Sequence, residues 1–314
     1  MTRASSNHLG AASTHRVGTD KLPIGNLHAM TIKSVGIVGS GIMGAGIAEV
    51  AAKAGHQVVL RSRQQASADA MVTSLEKSLA KQVERGKLTD EERIATLARV
   101  TATAKLHDLA DCDLVIESVV EDLAVKKELF RELNDICKDD TIIATNTSTL
   151  AVVEMAMDTT RSDKVCGVHF FNPAPMMSLV EIVRPITASD ETIAEVRAFA
   201  EACGKSPVEV KDRAGFIVNA LLFPYLNNAV RMLENGTASR DDIDTAMKGG
   251  CNFPMGPLAL LDLVGLDTSL AILDALYGEF RDPNYAAMPL LRRMVTAGQL
   301  GRKSGAGFFD YAKK

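Results

Sequence analysis

A glycine-rich turn near the start of the chain narrows the choice of fold more than any other segment. The turn reads Gly39-Ser40-Gly41-Ile42-Met43-Gly44 and lies between an apolar strand, 32–38, and a helix, 45–54; a second strand follows at 57–60. Glycines at this spacing permit a tight turn, close approach of the main chain to a pyrophosphate, and close packing of helix on strand. The helix N-terminus would hold the phosphates. In this strand–turn–helix–strand context the motif predicts a dinucleotide site that includes Gly39, Gly41, Ile42, Met43 and Gly44.

The rest of the chain divides into two parts with different patterns. Up to Arg213, strands at 113–117, 141–145, 165–170 and 179–183 accompany helices at 65–99, interrupted near Gly86, and at 125–137. Beyond that point helices dominate, at 216–235, 239–248, 257–275 and 286–297. Strands that alternate with helices favour a mostly parallel sheet. We therefore expect an α/β, Rossmann-type doubly wound domain at 31–213 and an all-helical domain at 214–314.

Residues 1–30 differ in composition from both parts. They are rich in Ser, Thr, Gly, Ala and His, carry no acidic residue before Asp20, and lack the apolar core of a secretory signal. With only Arg3 and Arg16, they make a poor transit peptide. We expect a flexible extension, or a translation start at Met30.

Charge and cysteine content exclude several classes of function. The 314 residues contain 35 Lys and Arg against 39 Asp and Glu, a net charge of −4. This balance argues against a general nucleic-acid or membrane-surface partner, but allows a local basic patch for an anionic ligand. Since no apolar run approaches the length of about 18 residues that spans a bilayer, we expect no membrane segment. The five cysteines include no C-x-x-C pair, so we expect no metal site and a cytoplasmic location with reduced thiols.

The end of the second strand bears on the choice of nucleotide. An NAD site carries an acidic residue there for the ribose 2′-hydroxyl, whereas this chain reads Leu60-Arg61-Ser62-Arg63. Two guanidinium groups and a hydroxyl suit a 2′-phosphate instead. The segment favours NADP over NAD, the alternative being that both arginines are solvated strand-end residues.

Several longer motifs point to one family. In chain order they are 39–46, Asn146-Thr147-Ser148, His169-Phe170-Phe171-Asn172-Pro173, Gly215-Phe216-Ile217-Val218-Asn219, Pro254-Met255-Gly256-Pro257 and the segment 301–308. Together they resemble the 3-hydroxyacyl-CoA dehydrogenase family, in particular its short bacterial 3-hydroxybutyryl-CoA type, over about residues 31–312. The resemblance implies reversible oxidation of a 3-hydroxyacyl-CoA to the 3-ketoacyl-CoA, and a homodimer held by the helical domain.

The resemblance also implies roles for individual residues. His169 would be the base, Glu181 its partner, and Ser148 and Asn219 would hold the reacting oxygens of the substrate. The dinucleotide contacts would include Glu121, Lys126, Ser148, Asn172 and Lys303, and the CoA contacts Ser74 and Lys81. The acidic ribose ligand of the family falls on Ser62, which is a departure from the NAD pattern.

His169 can be weighed on chemical grounds alone. Removing a hydroxyl proton during hydride transfer needs a base with a pKa near working pH, which suits histidine. Of the six histidines, three precede Met30, while His56 and His107 are expected at the surface. His169 ends an apolar strand at the sheet edge where α/β folds bind ligands. The alternative is a buried histidine bonded to the main chain.

Three polar residues could complete this site. Glu181 interrupts the apolar strand 179–183, where a carboxylate is costly unless paired, and a strand–turn–strand path could return it to His169. Otherwise Glu181 faces solvent. Ser148 follows a strand end and could instead cap a helix. Asn219 lies early in an apolar helix and could donate to a substrate oxygen or bond across a helix contact.

A basic stripe could hold the CoA phosphates. Lys77, Lys81 and Arg85 share one helix face by their spacing of four, although such a stripe can also be a solvated face.

Two alternative functions remain open at this point. One is a dehydrogenase acting on an acyl-carrier-protein-bound or free 3-hydroxy acid. The other is a nucleotide-binding structural or regulatory protein.

Overall fold

One sheet of eight strands forms the first part of the molecule. The computed structural model describes residues 32–312, so the predicted extension at 1–30 lies outside the described residues. The strands are β1 Ser34–Val38, β2 Gln57–Arg61, β3 Val100–Thr103, β4 Leu114–Glu117, β5 Ile142–Thr145, β6 Val165–Phe170, β7 Leu179–Arg184 and β8 Ser206–Lys211. Their order is β3-β2-β1-β4-β5-β6-β7-β8. All neighbouring pairs are parallel except β6 and β7, which are antiparallel.

Helices cover the sheet and form the second part. Those packed with the strands are α1 Ile42–Lys53, α2 Gln65–Glu84, α3 Asp90–Leu97, α4 Leu123–Ile136, α5 Val152–Ala156 and α6 Asp190–Ala202. The later helices are α7 Val218–Glu234, α8 Arg240–Cys251, α9 Pro257–Val264, α10 Leu266–Phe280 and α11 Pro289–Thr296. Within 32–312, no helix is both long and apolar enough to cross a membrane.

The sheet positions a binding site through its strand order. β1 pairs with β2 on one side and with β4 on the other, so the chain reverses its direction of winding at β1. In open α/β sheets, ligands bind at the carboxyl ends of the strands at such a switch point. Val35 and Ile37 of β1 are fully buried in the core between the sheet and α1, which holds this edge rigid.

The helical part has a hydrophobic core of its own. Leu226, Leu258, Leu261, Leu273 and Leu276 are fully buried there, together with residues of α8 and α11. Buried Asp262 accepts hydrogen bonds from the main-chain nitrogens of Phe308 and Phe309, at 2.9 Å each. The carboxylate thereby ties the end of the described chain to α9.

Several local predictions differ from the structure. β3 and β8 were missing from the sequence prediction, because β3 is only four residues long and β8 is a largely exposed, polar edge strand. The predicted single helix 257–275 is wrong. Gly265, with φ +102°, separates α9 from α10, and a Cβ there would lie 3.2 Å from Lys303 Nζ. The apolar pattern continues across this break, so periodicity alone does not reveal it.

Candidate active site

The glycine turn follows β1 and opens α1, and each of its glycines has a separate physical reason. Gly39 has φ +141°, and a Cβ there would lie 2.1 Å from the carbonyl oxygen of Ser118. A Cβ on Gly44 would lie 2.4 Å from the carbonyl oxygen of Gly39. A Cβ on Gly41 would have no other heavy atom within 4 Å, so this position opens onto free space. Gly39 and Gly44 are required by packing, whereas Gly41 leaves the main chain accessible to a ligand.

A cavity of about 880 Å³ adjoins this turn. Its wall is formed by the carboxyl ends of β1, β2 and β4 and by one face of α4. The lining residues are Val38, Gly39, Ser40, Gly41, Arg61, Ser62, Arg63, Ser118, Val119, Val120, Ala124, Val125, Glu128, Leu129 and Glu132. Ile42 is exposed at the first position of α1, while Met43 packs against the core. The free helix N-terminus and the open turn suit the pyrophosphate of a dinucleotide.

The β2 end of this cavity is positively charged; we call Arg61–Arg63 the basic edge. Arg61 Nε is buried without a hydrogen-bond partner among the described residues. Burial lowers the pKa of the Arg61 guanidinium. The charge of Glu132 raises that pKa, and the charge of Arg63 lowers it further. Ser62 is buried and Arg63 is exposed. The acids that line the cavity, Glu128 and Glu132, come from α4 and not from the strand end.

His169 and Glu181 face each other across the antiparallel pair β6 and β7. The register places them directly opposite, and His169 Nδ1 lies 2.7 Å from Glu181 Oε2. On the other side of the ring, His169 Nε2 lies 3.2 Å from Ser148 Oγ. His169 is only 4% exposed and Glu181 is fully buried. We call Ser148, His169 and Glu181 the His169 cluster.

The carboxylate defines which ring nitrogen can act as a base. An ionised carboxylate only accepts hydrogen bonds, so the proton of a neutral imidazole must reside on Nδ1. The lone pair on Nε2 then points to Ser148. Phe171 and Phe216 flank the ring, with centroids 4.5 and 5.5 Å from that of His169. These contacts limit rotation of the imidazole.

The second oxygen of Glu181 connects the sheet to the helical part. Glu181 Oε1 accepts hydrogen bonds from the nitrogens of Ile217, at 3.0 Å, and Val218, at 2.9 Å. Ile217, the N-cap residue of α7, has no side-chain cap of its own, so Glu181 satisfies these free donors. Asn219 is the next residue and is 8% exposed. One carboxylate therefore orients His169 and fixes the first turn of the helix that carries Asn219.

Ser148 belongs to a loop that two acidic residues hold in place. Glu121 Oε1 accepts from the main-chain nitrogen of Ser148, at 3.0 Å, and Lys126 Nζ lies 3.2 Å from Glu121 Oε2. The same ammonium lies 2.7 Å from Glu117 Oε1. Burial alone would raise the pKa of Glu121, but Lys126, the Thr147 hydroxyl and the Ser148 amide outweigh it and lower that pKa. Sequence reasoning missed Glu117, although a carboxylate in an apolar strand was the signal that identified Glu181.

A second cavity, of about 750 Å³, lies between α2 and the loop after β6. The predicted stripe Lys77, Lys81 and Arg85 lines it together with Ser74. Further lining residues are Glu49, Lys53, Ser78, Gln82, Lys87, Pro173, Pro175 and Met176. The two prolines and Met176 belong to the segment that follows His169 along the chain.

Two residues lie apart from these groupings. Lys303 bonds to Asp267 of the helical part, with Nζ 2.7 Å from Oδ2, and neither Lys303 nor exposed Asn172 lines a cavity described above.

The expectation that His56 is a surface residue is wrong. It is 1% exposed, packs against the Phe199 ring at a tilt of 58° and bonds through Nδ1 to the Ile32 carbonyl oxygen. Its turn is covered by α6, which is remote in sequence.

Comparison with known sequences identifies the family. The model for the 3-hydroxyacyl-CoA dehydrogenase NAD binding domain matches residues 34–213, and that for the C-terminal domain matches 215–311. The chain belongs to the 3-hydroxyacyl-CoA dehydrogenase family. This membership confirms the resemblance and the prediction of a Rossmann-type domain joined to a helical one. A 3-hydroxyacyl-CoA dehydrogenase with this N-terminal domain uses a nicotinamide dinucleotide cofactor.

The matches to individual relatives cover nearly the whole length of those relatives. The chain is 48% identical over 277 residues to the 3-hydroxybutyryl-CoA dehydrogenase of Clostridioides difficile, which is 88% of this chain and 99% of that one. It is 40% identical over 320 residues to human mitochondrial hydroxyacyl-coenzyme A dehydrogenase, covering 99% of both. The crystal structure of (S)-3-hydroxybutyryl-CoA dehydrogenase PaaH1 from Ralstonia eutropha is similar with a TM-score of 0.88 and 43% identity, over 90% of this chain and all of that one. The likeness therefore extends across both parts of the chain.

Proposed function

We propose that this protein interconverts short-chain 3-hydroxyacyl-CoA, above all 3-hydroxybutyryl-CoA, and the corresponding 3-ketoacyl-CoA. The observation that carries the proposal is the His169 cluster, whose Ser148 is hydrogen-bonded to Glu121, the residue after Val120 of the dinucleotide cavity. It joins a hydroxyl, an imidazole and a buried carboxylate in series, at 3.2 and 2.7 Å. The names of the relatives, two of them 3-hydroxybutyryl-CoA dehydrogenases, support the choice of substrate.

The chain's residues would manage the proton. In the oxidative direction His169 Nε2 accepts the proton of the 3-hydroxyl, and Glu181 stabilises the imidazolium that forms. The bound nicotinamide supplies the acceptor for the hydride that leaves C3. Ser148 Oγ and the Asn219 amide orient the reacting oxygens. In the reductive direction His169 returns the proton to the developing alkoxide, so protons and electrons balance in both directions.

The cationic cavity would bind the CoA part of the substrate. Lys53, Lys77, Lys81, Arg85 and Lys87 line one cavity and present five positive charges in a protein of net charge −4. Such a cluster attracts phosphate groups and accelerates their encounter. Ser74 and Lys81, the two CoA contacts implied by the family, both lie in this cavity.

We also propose that the enzyme prefers NADP over NAD. The basic edge offers two guanidinium groups and the Ser62 hydroxyl where an NAD site has a carboxylate. Arg61 Nε has no hydrogen-bond partner in the part of the chain that the structure describes, and a 2′-phosphate would supply oxygen acceptors. With NADPH as the abundant reductant, the cell would run the reaction toward the hydroxyacyl product.

Initial rates with acetoacetyl-CoA test both proposals at once. NADPH and NADH are compared side by side, and we expect kcat/KM to be at least about ten times higher with NADPH, which corresponds to one charge-assisted bond. A preference for NADH would overturn the cofactor proposal and leave the reaction intact. Turnover only with acetoacetate, or only with an acyl-carrier-protein thioester, would replace the CoA substrate by one of the alternatives. No turnover with any of them would refute a dehydrogenase of 3-hydroxyacyl groups.

Oligomeric state and location are separate proposals. We expect a homodimer held by the helical part, as the family resemblance implies, and sedimentation equilibrium of the purified chain tests it. The location is proposed to be cytoplasmic because none of the five cysteines is in a disulfide.

A further inference from the structure

A lysine buried under the active-site loop joins two carboxylates. Lys126 is 1% exposed, and its Nζ lies 2.7 Å from Glu117 Oε1 and 3.2 Å from Glu121 Oε2. Glu117 is fully buried and takes part in none of the proton transfers described above. Replacing a buried ion pair by apolar groups is commonly neutral or stabilising, so stability alone does not account for the buried charges of Lys126 and Glu117.

Glu117 binds to the ends of two neighbouring strands. Its Oε1 also accepts from the nitrogen of Val119, at 2.6 Å, in the turn that lines the dinucleotide cavity. Its Oε2 accepts from Thr145 Oγ1, at 2.7 Å, at the last position of β5. That threonine oxygen in turn accepts from the nitrogen of Thr147, at 3.1 Å. Glu117 therefore reaches the residues that immediately precede Ser148.

Glu121 completes the attachment on the other side of the loop. Its Oε1 binds the Ser148 nitrogen and the Thr147 hydroxyl, and Thr147 Oγ1 also accepts from the nitrogen of Leu150, at 3.0 Å. Lys126 holds this carboxylate in place through Oε2. An ammonium has three donors, and the two carboxylates occupy two of them.

We infer that Glu117 is a positioning residue for the reaction. It fixes the main chain around Ser148 by two routes, one through Thr145 and the other through Lys126 and Glu121. In this way it keeps Ser148 Oγ within hydrogen-bond distance of His169 Nε2. This inference rests on the proposed function, because it gives Ser148 a role toward the substrate. Ser148 Oγ and His169 Nε2 lie 3.2 Å apart, so a small displacement of the loop would break this hydrogen bond. A displacement of about 1 Å in such a site can reduce the rate by about 10²-fold.

Hydrogen exchange of the substrate-free protein tests the positioning directly. In Glu117→Gln the amide keeps its shape, but Lys126 loses one of its two charged partners. We expect amides in the segment 145–150 to exchange at least about tenfold faster, a loss of about 1.4 kcal/mol in local stability. The control is Asp135→Asn, which removes an exposed carboxylate from α4, the helix that carries Lys126, and should leave this segment unchanged. Unchanged protection of 145–150 in Glu117→Gln would overturn the inference.

A double-mutant cycle tests whether Glu117 acts through Ser148. We expect Glu117→Gln to lower kcat about 30-fold while the dinucleotide Kd changes less than threefold, and the double variant with Ser148→Ala to be no slower than Ser148→Ala alone. Multiplicative losses would refute an action through Ser148. Should Glu117→Gln fail to fold, Thr145→Val removes one link of the network and enters the same cycle.

The two proposals fail in different ways. The absence of wild-type turnover would refute the proposed function, whereas the exchange measurement needs no substrate and still decides whether Glu117 fixes the loop.

Discussion

The His169 cluster, proposed to transfer the proton, and the basic edge, proposed to bind the dinucleotide, differ in how their polar groups are satisfied. Both oxygens of Glu181 and both nitrogens of His169 have partners in the protein. At the basic edge, Arg61 Nε is buried without a hydrogen-bond partner among residues 32–312, and the acid that acts on Arg61 is Glu132 of α4. A satisfied network is rigid before any ligand arrives, while an unsatisfied group marks where ligand atoms are still required.

The largest effect should follow from removing the base. His169→Gln keeps the size of the side chain but cannot accept the proton, so kcat should fall by about 10³- to 10⁴-fold. Because the dinucleotide cavity is untouched, NADPH affinity measured by fluorescence titration should stay within about twofold. The control is His107→Gln, an exposed residue that should retain full activity. A joint loss of activity and nucleotide binding would mean that the two regions are not independent.

The next largest effect should come from the carboxylate that serves both His169 and α7. In Glu181→Gln the amide oxygen can still accept from Ile217 and Val218, so α7 should keep its position. The amide nitrogen would then donate to His169 Nδ1 and place the ring proton on Nε2, which cannot act as a base. We expect kcat to fall about 10³-fold. Thermal unfolding checks that the variant is folded, and near-normal kcat would contradict the assigned tautomer.

Changes at the basic edge should alter selectivity and not the chemical step. Arg63→Gln removes one exposed cation, and kcat/KM with NADPH should fall about 10- to 100-fold, the equivalent of one charge-assisted hydrogen bond. The rate with NADH serves as the internal control and should change little. Ser62→Asp places an acid at the strand end and should reverse the preference. Equal losses with both cofactors would show that these residues do not read the 2′-position.

The smallest catalytic effect is expected far from both regions, at Asp113. Burial would raise the pKa of Asp113, but hydrogen bonds from Lys138 and from the main chain of Lys33 and Ser34 outweigh it and hold that pKa at about 2. Since the folded pKa lies below the unfolded value of 3.8, the stabilisation is present at pH values above 3.8 and is lost as pH falls through about 2.

This residue provides a control for the comparison. Asp113→Asn should lower the free energy of unfolding by about 1–2 kcal/mol at pH 7 and leave kcat unchanged. Denaturant titrations at pH 7 and pH 3 check both statements, because the difference between the proteins should shrink at the lower pH. A loss of activity in this variant would show that stability limits the rates measured for the site variants.

Short-range patterns were the most informative part of the sequence. Gly39 and Gly44 were predicted because a tight turn between a strand and a helix is a local requirement, and the structure gives both a steric reason. The antiparallel return that brings Glu181 opposite His169 needs only a short connection, so the strand pattern allowed it. The roles of these residues in the reaction remain predictions.

Burial was the property that local patterns could not supply. His56 is adjacent to a turn glycine in the sequence, but α6 covers it, and Glu117 has the appearance of a strand-end acid until Lys126 and Thr145 are placed around it. The break at Gly265 depends on the approach of residues 300 and 303 to the start of α10.

The amino-acid sequence by itself determined the class of fold, the glycine turn and the residues of the family motifs, because each depends on contacts between near neighbours in the chain. Only the tertiary structure decided that one carboxylate binds both His169 and α7, that Lys126 bonds to two acids, and that Arg61 Nε is buried without a partner among the described residues. Each of these facts depends on side chains that are distant in the sequence but lie within a few ångströms of a buried charge. An unpaired buried charge is costly, so these neighbours determine whether the arrangement is stable.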